Sequence, residues 1–184
     1  MNFTKTQPLK ISKLLARWIA FMLILMIQPA WGQHEIQPTD EFMIVGQVEQ
    51  EVTFKISDIG KFDIKPIKDI QITNHAGERK GAITGLKGIL IKDILAQATI
   101  KVDNPKQLSE CFLTFVASDG YKIVYSWNEI FNTATGDHTF LLTEMDGKPV
   151  EEMSQRIVMI SSSDYRTGSR NLKGLYKIIV ERIE

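Results

Sequence analysis

The chain has 184 residues with 22 basic and 22 acidic side chains, so its formal net charge is zero. A chain without excess positive charge is a poor candidate for binding nucleic acid or anionic membranes through bulk charge. Its single cysteine, Cys111, excludes an internal disulfide and a thiolate-rich metal site.

The N-terminal residues have the pattern of a secretory signal peptide. A basic region without acidic residues precedes an apolar run at 18–27, and the small residues of QPAWGQ follow. We predict a signal peptide over residues 1–32, cleaved before Gln33, and a periplasmic or secreted protein. An uncleaved anchor is the alternative, but the apolar run is shorter than the roughly 20 residues that span a bilayer. Cleavage removes four basic residues and leaves 18 basic and 22 acidic ones, a net charge of −4.

The next part of the chain predicts strands with few helices. Residues 33–41 are polar and predict a flexible leader, and a single domain is predicted over 42–184. Alternating apolar residues predict two strands in FMIVGQVEQEVTFKI, and IKPIKDIQITNH predicts a further extended stretch. The glycine-rich AGERKGAITGLKG predicts a loop, and the spacing in ILIKDILAQA predicts a helix.

The second half of the chain predicts more strands. VDNPKQLSE predicts a loop, and FVASDGYKIVYSWNEI predicts a strand, a turn at Asp119-Gly120, a second strand and a short serine-capped helix. TFLLTEMDGKPV predicts a hairpin around Asp146-Gly147, and RIVMIS and LYKIIVERI predict the last strands. Seven or eight strands against two or three short helices predict an α+β, mostly-β domain and not a doubly wound fold.

Sequence spacings typical of catalytic centres are absent. The chain has no glycine-rich phosphate loop, no paired-histidine zinc motif and no nucleophile elbow. His34, His75 and His138 stand in polar contexts and predict solvated loop histidines. Cys111 opens the apolar stretch CFLTFV, which favours a buried thiol over a nucleophile or a metal ligand.

A basic stretch near the C-terminus is the strongest candidate site. DYRTGSRNLKGLYK places Arg166, Ser169, Arg170 and Lys173 in or beside a Thr-Gly-Ser loop. Arginine side chains, hydroxyls and exposed backbone N–H groups together predict a pocket for an anion. A solvated charged loop is the alternative interpretation.

The order of the motifs resembles the molybdopterin-binding domain of the sulfite-oxidase family. The resemblance rests on FMIVGQV, LKGILIKDILAQA, FVASDGYKIVYSWNEI, LLTEMDGKPV, RIVMI and GSRNLKGLYKIIV, and it covers residues 42–184. It implies the fold of that domain. It also implies that Tyr121 faces substrate and that Arg170 and Lys173 hold a pterin phosphate. Arg156, which opens the strand after the hairpin in the family pattern, is a further cofactor-binding residue that the resemblance implies.

The chain departs from the family pattern where the metal would bind. Active members carry a molybdenum-ligating cysteine before the first helix, where this chain has the Thr-Asn-His of IQITNHAGE. Cys111 belongs to a different strand, and asparagine is no substitute for a soft thiolate. The family's N-terminal section is also missing before Phe42. Three further pattern positions differ: Ser154, Gln155 and Gly174.

Three hypotheses follow from these features. The first is a non-catalytic exported domain that binds an anionic or pterin-type small molecule. The second is an active molybdopterin-dependent oxidoreductase with an unusual ligand set. The third is a structural or interaction domain that binds a partner protein and no small molecule.

Overall fold

The computed structural model describes residues 35–183, and the predicted signal peptide lies outside the described residues. The described chain forms thirteen strand segments and two short α-helices. The strands are β1 (Glu41–Gly46), β2 (Val52–Lys55), β3 (Lys65–Ile67), β4 (Ile70–Thr73), β5 (Arg79–Ile83), β6 (Leu86–Leu90), β7 (Cys111–Ala117), β8 (Lys122–Ser126), β9 (Thr139–Met145), β10 (Lys148–Pro149), β11 (Val158–Ser161), β12 (Leu172–Lys173) and β13 (Leu175–Arg182). The helices are α1 (Ile91–Leu95) and α2 (Trp127–Phe131), and 3-10 helices cover Ile56–Lys61, Pro105–Glu110, Gly136–His138 and Val150–Glu152.

Most strands belong to two sheets. The first has the order β2-β1-β13-β7-β8, in which only β1 and β13 pair in parallel. The second has the antiparallel order β12-β11-β9-β6-β3, with β10 paired to β9. A separate antiparallel pair contains β4 and β5. This arrangement confirms the predicted α+β, mostly-β class of a single domain.

The core lies on the apolar faces of these sheets. In the first sheet Ile178 of β13 stands opposite Ile44 of β1 and Phe115 of β7, and all three are fully buried. The ring of Phe115 meets that of Tyr125 edge-on, with 5.6 Å between centroids. Successive side chains of a strand point to opposite faces of the sheet. Apolar residues at alternate positions in the sequence therefore lie together on the buried face.

The predicted serine-capped helix is confirmed. Ser126 Oγ accepts a hydrogen bond from Glu129 N over 3.1 Å, and the Glu129 carboxylate accepts one from Ser126 N over 2.9 Å. This capping box satisfies two backbone donors at the start of α2. It also fixes where the Glu129 carboxylate lies, which matters for the site below.

Two loop predictions are wrong, and one helix prediction is confirmed with shorter bounds. AGERKGAITGLKG, predicted as a loop, contains β5 and most of β6, because β6 is paired on both sides within the second sheet and β5 is held by β4. Tertiary pairing overrides the low strand propensity of glycine here. The predicted loop VDNPKQLSE contains a 3-10 helix that Asn104 caps. The helix predicted within ILIKDILAQA is confirmed, but it covers only Ile91–Leu95.

The segment predicted as a flexible leader is bonded to the domain where it is described. Ser118 Oγ accepts a hydrogen bond from Gln37 N and donates one to Gln37 O, over 2.9 and 2.7 Å. Thr39 Oγ1 donates to Leu175 O over 2.8 Å. In the described part of the chain, no helix is long and apolar enough to cross a membrane.

Candidate functional site

The turn between β7 and β8 contains Asp119, Gly120 and Tyr121. Asp119 Oδ1 accepts a hydrogen bond from Tyr121 N over 2.9 Å, and Gly120 N donates to Ala117 O over 2.9 Å. Gly120 has a φ of 85°, which glycine adopts without steric cost. Asp119 and Gly120 therefore shape the corner and set the position of Tyr121.

Tyr121 connects this corner to a segment that we call the arginine loop, residues 162–171. The Tyr121 hydroxyl donates a 2.6 Å hydrogen bond to Ser169 O, while the residue as a whole is 39% exposed. The hydroxyl that the resemblance directs at a substrate is thus engaged within the protein. In this structure it fastens the arginine loop to the end of β7.

Tyr121→Phe is expected to loosen the arginine loop without unfolding the domain. Loss of one hydrogen bond costs about 1 kcal/mol, which corresponds to roughly fivefold faster local opening. Amide hydrogen exchange at residues 162–171 measures this increase, and exchange in β13 should stay unchanged. Tyr176→Phe is the matched control, because its exposed hydroxyl has no hydrogen-bond partner among the described residues. Equal exchange in the two variants would contradict the role of Tyr121.

The arginine loop is also bonded to the hairpin of β4 and β5. Thr167 Oγ1 donates to Gln71 O over 2.6 Å and accepts from Thr73 N over 3.1 Å. Gly168 N donates to Thr73 O over 2.9 Å. Ser169 Oγ lies 3.2 Å from His75 Nδ1, so the Thr-Asn-His stretch at the end of β4 also contacts the arginine loop.

Arg170 is neutralised inside the arginine loop. Its Nε lies 2.6 Å from Asp164 Oδ2 and its Nη2 lies 2.6 Å from Asp164 Oδ1, a two-pronged ion pair. Its Nη1 also donates to Glu129 Oε1 over 3.2 Å. Hydrogen bonding to Asp164 is the main cause that raises the pKa of Arg170 above its ordinary value. The predicted phosphate-binding arginine therefore already contacts two carboxylates.

Tyr125 lies beneath this ion pair. The Arg170 guanidinium carbon stands 4.2 Å from the centre of the Tyr125 ring, within the range of a cation–π contact. The Tyr125 side chain is fully buried, and the hydroxyls of Thr139 and Ser161 are the polar groups beside its own hydroxyl. Burial raises the pKa of Tyr125 to about 12, so the phenol stays neutral near Arg170.

An open cleft of about 380 Å³ lies along the arginine loop and is lined by Thr135, Ser163, Asp164, Tyr165, Arg166, Ser169 and Arg170. Arg166 is exposed and has no carboxylate within 4.0 Å among residues 35–183. Its guanidinium rests on the turn after β4, at Gly77. The cleft therefore combines one neutralised and one unneutralised guanidinium.

The structure brings together some of the predicted site residues and separates others. Arg166, Ser169 and Arg170 line the same cleft. Arg156 does not line it, and its Nη1 forms an ion pair with Asp40 Oδ1 at 2.8 Å. Lys173 is exposed on the edge strand β12, where it stands opposite Val158. A second open cleft, about 490 Å³, is lined by Gln37, Ser118, Asp119, Gly120 and Tyr176 among others, but not by Tyr121.

Sequence reasoning missed the two carboxylates that contact Arg170. Asp164 is six residues from Arg170 and Glu129 is 41 residues away, so neither follows a short recognisable spacing. One signal was available for Glu129, since its place in the capping box SWNE fixes its carboxylate at the start of α2. For Asp164, the contact with Arg170 depends on how the arginine loop folds back on itself.

These features define a mostly-β domain of two main sheets with a neutralised arginine at a surface cleft. The domain is similar in structure to the sulfane dehydrogenase SoxCD from Paracoccus pantotrophus, with a TM-score of 0.58 and 15% sequence identity. The similarity covers 83% of this chain and 41% of that chain, so this chain spans less than half of its length. This similarity confirms the predicted sulfite-oxidase type of fold and concerns the fold alone. The sequence matches no protein-family model and no curated protein.

The side chains at the site do not fit a molybdenum–pterin cofactor. Asn74 closes the turn before β5, where its Oδ1 accepts from Glu78 N and its Nδ2 donates to Glu78 Oε2, each over 2.9 Å. Cys111 is buried, its thiol lies 3.4 Å from Gln107 O, and burial raises its pKa. Within residues 35–183, no three His, Cys, Asp or Glu side chains form a metal-binding group. No thiolate is available at this cleft, and Arg170 is already paired.

Proposed function

We propose that this chain is an exported, non-catalytic domain of the sulfite-oxidase fold that binds a small anion at Arg166. The observation that carries the proposal is the contrast between the two arginines of one cleft. Arg170 contacts two carboxylates, whereas Arg166 has none within ion-pair distance in the described chain. Arg166 is therefore the cation of this cleft that an external anion can neutralise.

The surroundings of Arg166 support a small oxyanion as the ligand. A guanidinium offers a planar set of N–H donors that matches two oxygens of a phosphate, sulfate or carboxylate. Ser163 and Ser169 line the same cleft and supply hydroxyl donors. A pterin phosphate belongs to this chemical class, and so do inorganic sulfur and phosphorus oxyanions.

Three contacts favour a binding role over catalysis. The Tyr121 hydroxyl bonds Ser169 O, the Arg170 guanidinium bonds Asp164, and the Asn74 side chain closes a turn. Each of these polar groups is thereby withdrawn from an external reactant. Export is supported by the basic, apolar and small-residue order of residues 1–32.

Thermal unfolding with and without phosphate, sulfate or sulfite tests the binding site. An anion that binds only the folded protein raises its melting temperature, by about 4 °C at ten times its dissociation constant. Arg166→Ala is expected to abolish this increase. Lys173→Ala is the matched control, because Lys173 is an exposed cation that does not line the cleft. A full response in Arg166→Ala would refute the site.

Metal and pterin analysis of the protein from its native host tests the non-catalytic role. Stoichiometric molybdenum would overturn the proposal in favour of an oxidoreductase. If neither metal nor any anion response is found, the proposal fails and the structural or interaction domain without a small-molecule ligand replaces it.

A further inference from the structure

We propose that the free edge of β8 is an interface at which two copies of this chain pair their β8 strands in antiparallel orientation. β8 is the last strand of the first sheet, and it pairs only with β7. Ile123 and Tyr125 point into the core and are buried. Lys122 is exposed, and Val124 is 54% exposed. This inference does not depend on anion binding at Arg166.

The register of the hairpin determines which backbone groups of β8 face its open side. Ala117 N donates to Tyr121 O over 2.9 Å, so the backbone carbonyl of Tyr121 faces β7. Hydrogen-bonded and non-hydrogen-bonded residue pairs alternate along two antiparallel strands. The backbone groups of Ile123 therefore also face β7, whereas the N–H and C=O groups of Lys122 and Val124 face outward. These outward groups have no hydrogen-bond partner among residues 35–183.

Hydrogen bonds within the protein mark both ends of this open stretch. Ser126 N donates to the Glu129 carboxylate over 2.9 Å, and Tyr121 N donates to Asp119 Oδ1 over 2.9 Å. Between these two points the edge offers two donors and two acceptors. Unpaired N–H and C=O groups of an edge strand are free to pair with a strand of another chain.

The other ends of the two main sheets are better protected than β8. β3 contains Pro66, which has no backbone N–H, and β12 has only two residues. On β2, Lys55 N already donates to Asp58 Oδ2 over 2.9 Å. β8 contains no proline, and its pairing with β7 shows no register shift. Prolines, bulges and short strands are the devices that keep an edge from pairing, so β8 is the edge most open to another strand.

A second copy fits this edge because the set of free groups is self-complementary. A two-fold axis at Ile123 places Lys122 of one copy opposite Val124 of the other. In that register each free N–H meets a free C=O, so two donors and two acceptors per copy make four hydrogen bonds. Lys122 faces an apolar side chain and not a second lysine, so its stem covers Val124 while its ammonium stays in water. A two-fold axis at Val124 is less favourable, because it places Lys122 opposite Ser126, whose N–H is already used in the helix cap.

Association of the protein with itself, after purification from the exported fraction, is the first measurement. A contact through one short strand belongs to the weak class of interfaces, so sedimentation velocity is recorded from about 20 µM to about 1 mM. We expect a monomer at the low end and a growing population of dimer at the high end. Residue-resolved amide exchange then locates the contact. The Lys122 and Val124 amides should exchange about twofold more slowly at the concentration where half of the chains are paired, and the capped Ser126 amide should not change.

Val124→Pro is the direct test of the backbone pairing. It removes the outward N–H of Val124 and no bond to β7, and proline is tolerated on an edge strand where the N–H faces solvent. Two of the four hydrogen bonds of the dimer are lost, so association should weaken by roughly tenfold or more. Val124→Thr is the matched control, because threonine keeps the backbone donor and favours strands. Its association should stay within about twofold of that of the unchanged protein.

Met43→Lys separates edge pairing from packing through the face of the sheet. Met43 lies on the same face of the first sheet as Val124, is 37% exposed, and belongs to the inner strand β1. A charge there opposes any dimer that buries this face, but it leaves the edge of β8 untouched. The variant should therefore associate like the unchanged protein.

Each outcome decides the question. A protein that stays monomeric up to about 1 mM overturns the inference, and so does a dimer that Val124→Pro leaves intact. Equal weakening in Val124→Thr means that the side chain and not the backbone makes the contact, and disruption by Met43→Lys means that the face of the sheet makes it. If Val124→Pro does not fold, amide exchange in the unchanged protein decides. Slower exchange at Lys122 and Val124 with Ser126 unchanged supports the register at Ile123, and no slowing at these two amides refutes it.

Discussion

Replacing Arg170 with methionine is expected to lower the free energy of unfolding by about 3 kcal/mol, because it leaves Asp164 without its cation. Breaking one partner of a buried ion pair typically costs about 3–5 kcal/mol, and the partial exposure of Arg170 favours the lower end. Methionine keeps an apolar side chain over the Tyr125 ring and so limits the loss of packing. Urea unfolding, with midpoint and slope determined separately, measures the effect.

Lys173→Met is the matched control for this substitution. Lys173 is an exposed cation in no ion pair among residues 35–183, so its loss should change stability by less than about 0.5 kcal/mol. An equally small effect for Arg170→Met would mean that water screens the pair with Asp164. The double substitution Arg170→Met with Asp164→Leu should cost less than the sum of the single ones, because no unpaired charge remains at this position.

Gly46→Ala is expected to lower the free energy of unfolding by about 3 kcal/mol or more. Gly46 ends β1 with a φ of 96°, and a Cβ atom there would lie 2.3 Å from Val180 O. Both the left-handed conformation and the clash oppose a side chain. Val180 O also accepts the hydrogen bond of Gln47 N at 2.9 Å, so relief of the clash must disturb the parallel pairing of β1 with β13. Thermal or urea unfolding measures the loss.

Gly60→Ala provides the comparison for this prediction. A Cβ atom at Gly60 would meet nothing within 4 Å, and the residue lies in the 3-10 helix after β2. The substitution should be neutral or stabilising by about 0.5 kcal/mol, since alanine restricts the unfolded chain more than glycine does. If Gly46→Ala behaves like Gly60→Ala, the described close approach of β1 to β13 is wrong.

Most of the strands could be predicted from the sequence, because each of them buries one face and so alternates apolar with polar residues. The alternation around Ile44 and Ile178 identifies strands that each bury one face. The hairpin at Asp146-Gly147 was also predictable, because that dipeptide favours the turn between β9 and β10. The strand β5 was not predictable, because most of its residues are exposed and it is held by pairing with β4. Backbone pairing of an exposed strand produces no regular alternation of apolar residues that could be recognised in the sequence.

The candidate site was predicted only in its basic part. Arg166, Ser169 and Arg170 were identified from composition, and they line one cleft. The same reasoning grouped Lys173 with them, although Lys173 does not line that cleft. Nearness in the sequence placed these four residues together, but the direction of each side chain depends on the path of the arginine loop and the start of β12.

The sequence by itself determined the mostly-β class, the corner at Asp119-Gly120 and the cap of α2, because these features depend on residues that are neighbours in the chain. Only the tertiary structure decided which arginine is neutralised. The carboxylates of Asp164 and Glu129 reach Arg170 through the folding of the arginine loop against α2, whereas Arg166 turns towards Gly77. The charge available to a ligand depends on distances of a few ångströms between distant residues, and sequence order does not encode those distances.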